Sequence, residues 1–63
     1  MKRIPLELPD DEAMALAQLT KRIGYDDCER LSNRYDGGRE LDAMIAGIDK
    51  LQRALAEAGF APR

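Results

Sequence analysis

The chain contains no histidine, so the most common general base and the most common metal ligand of proteins are both missing. Its single cysteine, Cys28, excludes an internal disulfide, whereas small secreted domains usually depend on several. No apolar run is long enough for a signal peptide or a membrane span. We therefore expect a cytoplasmic protein that does not contact a membrane.

Large apolar side chains are also scarce, and only three residues are aromatic (two Tyr and one Phe). A chain of 63 residues usually has a core worth about 3–5 kcal/mol. A pocket that enclosed a substrate would consume most of that core, and the acidic stretches lack the ligand spacing of a calcium-binding loop. We expect one domain over 1–63 that is not an enzyme and holds no cofactor or metal.

The longest periodic stretch covers 40–58 and predicts an amphipathic helix that the rest of the chain packs against. Its apolar residues recur at steps of three and four: Leu41, Met44, Ile45, Ile48, Leu51, Leu55 and Ala58. Gly59 is placed to end this helix, Phe60 to fold back onto it, and Pro62 to prevent its continuation. Gly47 inside it suggests either close contact with another helix or a tolerated surface glycine.

The acidic stretch after Pro9 predicts the start of a first helix that runs to Ile23. Leu16, Leu19 and Ile23 form its predicted inward stripe, and its alanines are small enough for another helix to approach closely. Gly24 is placed for a left-handed C-terminal cap.

A short second helix is predicted over 25–31, with Asp26 as its cap. Cys28, Leu31 and Tyr35 follow one another at steps of three and four and are predicted to face inward. Asp36 can cap the long helix, although the two glycines that follow it predict a start that frays.

Ile4, Leu6 and Leu8 alternate with polar residues or proline, which is the period of a half-buried strand. Such a segment either lies extended across the helices or pairs with a second chain. The sequence thus predicts an all-α fold, a small three-helix bundle (helix, short helix, long helix) with an extended or strand-like N-terminal arm.

Acidic residues cluster at the start of each predicted helix, where the helix macrodipole favours them. If the helices run up, down and up, the starts of the first and third helices lie at the same pole. An acidic pole of this kind suits a basic, nucleic-acid-binding groove on another protein. The predicted partner-binding residues are Asp10, Asp11, Glu12, Asp36, Glu40 and Asp42.

Residues 3–24, an alternating segment followed by Pro9, an amphipathic helix and Gly24, resemble the opening of ribbon-helix-helix repressors and antitoxins. That resemblance implies a dimer whose strands insert outward side chains into the major groove of DNA. The outward positions would be Arg3, Pro5 and Glu7, and a proline and an acid are poor readers of base edges.

A second resemblance spans nearly the whole chain. It is carried by LELPDDEA at 6–13, ALAQ at 15–18, KRIGY at 21–25 and RALAEAGFAPR at 53–63. These motifs resemble a family of short uncharacterised proteins from proteobacterial plasmids, integrative elements and phages. The resemblance implies no activity, but it does imply a mobile-element setting in which very small acidic proteins are often inhibitors of host defence.

The leading hypothesis is a non-enzymatic mobile-element protein in the cytoplasm of a bacterial host that binds and inhibits a host protein. An anti-CRISPR protein acting by acidic DNA mimicry is one form of it, with a nucleic-acid-binding protein as the partner and no direct contact with nucleic acid. The alternative is a ribbon-helix-helix-like dimeric DNA-binding regulator or antitoxin. Both a monomer and a homodimer remain open.

Overall fold

The computed structural model describes residues 1–60, which contain three α-helices and no strand. Helix α1 covers Asp10–Arg22, α2 covers Tyr25–Leu31 and α3 covers Arg39–Glu57. The predicted all-α class and small three-helix bundle are confirmed. That residues 1–63 form a single domain stays a prediction.

The end of α3 is closed as the sequence predicts. Gly59 has a positive φ of 97°, which glycine adopts without steric cost. The amide of Phe60 then donates to the carbonyl of Leu55 at 2.9 Å, and the Phe60 side chain packs against the core. The role predicted for Pro62 lies outside the described residues.

The start of α3 is held more firmly than predicted. Gly37 and Gly38 have φ of 73° and 87°, so the chain turns sharply there. The carboxylate of Asp36 accepts hydrogen bonds from the amides of Gly38 at 3.0 Å and Glu40 at 2.9 Å. The predicted capping role of Asp36 is confirmed, and the glycines form the turn that makes it possible.

The break between α1 and α2 differs from the prediction at two residues. Gly24 is not a left-handed cap: its φ of −115° and ψ of −178° are extended, and it precedes α2 as its N-cap. The cap partner is Asp27 and not Asp26, because α2 begins at Tyr25 and this register places Asp27 in the third helical position. Its carboxylate accepts the Gly24 amide at 3.0 Å.

Both short helices run antiparallel to α3, one after the other. Ala13, near the start of α1, packs with Leu55 near the end of α3. Cys28 of α2 lies beside Ile48 in the middle of α3, and the residues that follow α2 lie beside Leu41 near its start. In the described part of the chain each short helix packs on α3 and neither packs on the other. The result is a helical hairpin whose first limb is interrupted.

The hairpin is thin and its core is small. The Cα atoms span 37 × 27 × 15 Å. The smallest of these dimensions corresponds to the thickness of one layer of helices. The contact between α1 and α3 is built on Ala13, Ala17 and Leu55, and within residues 1–60 no large side chain is fully buried. One layer of helices cannot cover both of its own faces.

Residues 1–9 form neither helix nor strand. Leu8 packs against the contact between α1 and α3, whereas Ile4 and Leu6 are exposed. The extended or strand-like arm stays a prediction.

Two glycine substitutions should change stability in opposite directions. Gly38→Ala places a side chain at a positive φ and should lower the free energy of unfolding by about 1 kcal/mol or more. At Gly47 an added Cβ meets nothing within 4 Å, which identifies a surface glycine, so Gly47→Ala should raise that free energy by up to about 1 kcal/mol. Urea unfolding followed by circular dichroism measures both, and equal effects of the same sign would contradict this assignment.

Candidate functional site

The six predicted acidic residues do not form one cluster. Because α1 runs antiparallel to α3, its acidic start lies beside the last turns of α3, next to Leu55 and Phe60. Asp36, Glu40 and Asp42 lie at the other end of α3, a helix of 19 residues that is about 28 Å long. The expectation of a single acidic pole is wrong, because α2 continues the first limb and does not return along the bundle.

Two of the three acidic residues around the start of α3 are engaged in local structure. Asp36 is half-buried and accepts the two amides described above. Glu40 Oε1 accepts the amide of Asn33 at 3.0 Å and so ties the turn to the start of α3. Asp42, one turn into α3, is exposed.

The three carboxylates at the start of α1 remain together and exposed. Within this group the Asp11 side chain accepts the amide of Glu12 at 2.9 Å. The ion pairs among residues 1–60 lie elsewhere, between Asp27 and Arg30 at 3.5 Å and between Asp49 and Arg53 at 3.1 Å. The acidic start of α1 is therefore the part of the predicted site that the fold keeps on the surface.

A larger feature is an apolar surface formed by two adjacent grooves. The first, of about 600 Å³, lies between the N-terminal segment and α3, and the second, of about 380 Å³, lies along α1. Leu8 lines both grooves and joins them into one surface. We call this surface the leucine face and define it by Ile4, Leu6, Leu8, Leu16, Leu19, Leu51, Ala54 and Ala58.

Helix geometry explains why these residues share a face. Ala17 has no exposed surface and marks the direction from α1 to α3. Since successive residues are about 100° apart, Leu16 and Leu19 lie about 100° and 160° to one side of that direction, and Met14 lies about 60° to the other. On α3 the buried Leu55 marks the direction towards α1. Leu51, Ala54 and Ala58 all lie to one side of that direction, and because the two helices are antiparallel this is the same side of the layer as Leu16 and Leu19.

The opposite face of the layer is more polar. It carries the exposed ion pair between Asp49 and Arg53 on α3, and Asp11 and Arg22 on α1. By contrast, within residues 1–60 no charged residue lines the larger groove of the leucine face, and Glu12 is the charged residue that lines the smaller one. The opposite face also exposes two apolar residues, Met14 and Ile45, so it is mixed in character.

The prediction that Leu16, Leu19 and Ile23 form the inward stripe of α1 is wrong for Leu19, which is 55% exposed. The inward orientation predicted for Leu31 and Tyr35 is also wrong, because they are 59% and 94% exposed. The residues that α1 buries are Ala13, Ala17 and Thr20, whose hydroxyl donates to the Ala17 carbonyl at 2.9 Å. The spacing of Ala13 and Ala17, four residues apart, could have indicated the buried side of α1, because small residues let two helices approach closely.

Other chemistry is sparse in the described range. Among residues 1–60 no three side chains of the metal-ligating types come together as a metal site. None of the three helices combines the length and the apolar character that crossing a bilayer requires.

The fold and the surface define a small all-α protein that exposes an apolar face. The chain belongs to a family of unknown function, DUF7706, whose model matches residues 1–63. No curated protein and no solved structure shows a significant match to the chain. The match agrees with the resemblance that spans nearly the whole chain, while the mobile-element origin of that family stays a prediction.

The cap of α2 predicts a pH dependence. The hydrogen bond from the Gly24 amide, assisted by Arg30, holds the pKa of Asp27 below its ordinary value of 3.8. A lowered pKa in the folded state means that the carboxylate adds stability above about pH 4, which is lost as the pH falls through the folded-state pKa. Asp27→Ala should therefore lower the melting temperature at pH 7 and have a shrinking effect below pH 3.8.

The matched control for this experiment is Asp26→Ala, which removes the same charge from the neighbouring exposed position. Thermal unfolding of both variants across the acidic range measures the difference. If Asp27→Ala and Asp26→Ala behave alike at every pH, the hydrogen bond to Gly24 does not stabilise α2.

Proposed function

We propose that this protein acts by binding another protein through its leucine face and not by catalysis. The observation that supports the proposal is the apolar surface formed by two open grooves. Leu6 lines the larger groove, and Leu16 and Leu19 line the smaller one. Monomeric soluble proteins rarely expose extended apolar surface, and where they do it usually marks an interaction site. A binding surface on a flat layer also fits a chain too small to enclose a substrate.

The chemistry of the face favours protein over nucleic acid as the partner. Nucleic-acid surfaces are recognised mainly by Lys and Arg, which release counterions from phosphates. Among residues 1–60, no Lys or Arg lines either groove of the leucine face. A partner that fits it offers apolar side chains, such as one face of an amphipathic helix.

The biological form that we propose is an inhibitor encoded by a mobile element, with a protein of the bacterial host as its target. The mobile-element setting comes from the resemblance of the end motifs, and an anti-CRISPR protein is one member of this class. The exposed carboxylates at the start of α1 supply a second, electrostatic contact to a basic target. A dimeric DNA-binding regulator stays the alternative. The strand that this alternative requires does not occur within residues 1–60.

Capture experiments test whether the leucine face binds protein. The immobilised chain is exposed to a host lysate that also contains a tagged second copy of the chain. We expect Leu19→Lys to abolish retention of whatever is bound, since the lysine places a charge within an apolar contact. Met14→Lys is the control, because Met14 is a partly exposed apolar residue of the same helix on the other side. Equal retention by both variants, or none by the natural chain, would overturn the proposal.

The electrostatic contact has its own pair of variants. Asp10→Lys at the start of α1 should weaken binding to a basic host target by about fivefold at low salt, and less at high salt. Asp42→Lys changes an exposed carboxylate in the first turn of α3, at the far end of the molecule. Calorimetric titration of both variants with the captured host protein measures the difference. Equal losses of affinity in the two variants would show that binding depends on the net charge of the chain and not on the carboxylates at the start of α1.

A further inference from the structure

The exposed area of the chain exceeds what its size explains. Its accessible surface is 5469 Å² for a mass of 7.1 kDa. A compact folded monomer of that mass exposes about 4,100 Å², so roughly 1,400 Å² is in excess. The exposed N-terminal segment contributes part of this excess. A standard protein interface removes about 800 Å² from each partner, which is less than this excess.

We propose that the leucine face is covered by a second copy of this chain, so that two flat hairpins pack face to face as a four-limbed helical bundle. The inference rests on the proposed function, because it assigns the protein partner of the leucine face to a second copy. A host target would then be contacted through the exposed carboxylates at the start of α1 and not through the leucine face. Two packed layers are the usual minimum for a helical domain, and one hairpin supplies only one layer. A second copy supplies the missing layer and completes the core that Ala13, Ala17 and Leu55 begin.

The face has the shape that a two-fold contact requires. In such an interface the same patch occurs on both copies, so it must carry both projections and depressions. Leu19 projects from α1 with 55% of its surface exposed, while Ala54 and Ala58 line the larger groove beside α3. Rotation about a two-fold axis sets the leucines of each copy against the groove of the other.

The charges do not oppose this pairing. Among residues 1–60, Glu12 is the one ionised side chain that lines either groove. The net charge of −2 gives only weak repulsion between two copies.

Sedimentation equilibrium of the purified full-length chain tests the inference. We expect a species with twice the mass of one chain, and a melting temperature that rises with protein concentration. Leu19→Lys should raise the dissociation constant of the dimer at least tenfold, since it replaces an apolar contact in both copies. Met14→Lys should leave the dissociation constant within about twofold of the natural value.

Several outcomes would overturn the inference. A natural chain with the mass of one copy up to millimolar concentration, or a dimer that Met14→Lys disrupts and Leu19→Lys leaves intact, contradicts it. If Leu19→Lys fails to fold, the concentration dependence of the natural chain's melting temperature decides, and a constant value contradicts the dimer. A monomeric chain whose capture of a host protein still depends on Leu19 refutes the dimer alone and leaves the proposed function standing.

Discussion

The close contact between two alanines of α1 and the long helix α3 is the constraint on which the rest of this structure depends. Ala13 and Ala17 bury almost completely against Leu55 and its neighbours. Small side chains let two helices approach closely, but they remove little apolar area from water. The larger leucines of α1 consequently lie beside the contact and not within it, and the chain folds as a thin layer with an apolar face.

This arrangement connects the fold to the proposed function. The centre of the core is small, and the side chains that pack around it, Leu8, Leu16, Leu51 and Phe60, are only partly buried. The proposed binding through the leucine face would bury more of this apolar area, and would therefore stabilise the fold as well as provide the function. The opposite side of the layer carries the ion pair between Asp49 and Arg53 together with the exposed Met14 and Ile45.

Much of the local structure could be predicted from the sequence, because caps and turns are set by nearby residues. Asp36 before two glycines and Gly59 before Phe60 each act as their residue types suggest. The packing could not be predicted, because α1 carries two adjacent apolar stripes and periodicity does not say which one meets α3. The direction of α2 was equally open, and it decides whether Asp10 and Asp42 share a pole. The sequence was sufficient to predict that the acidic residues lie at the starts of helices, but not where those helix starts lie relative to one another.

The central claim is that the leucine face is covered when the protein is at work. The most direct measurement is the relaxation that a soluble paramagnetic agent causes in the methyl groups of Leu19 and Met14 at millimolar protein concentration. In the isolated chain Leu19 is 55% exposed and Met14 is 41% exposed, so Leu19 would relax faster. The account predicts the reverse order, with Leu19 protected and Met14 accessible. Faster relaxation of Leu19 would contradict it.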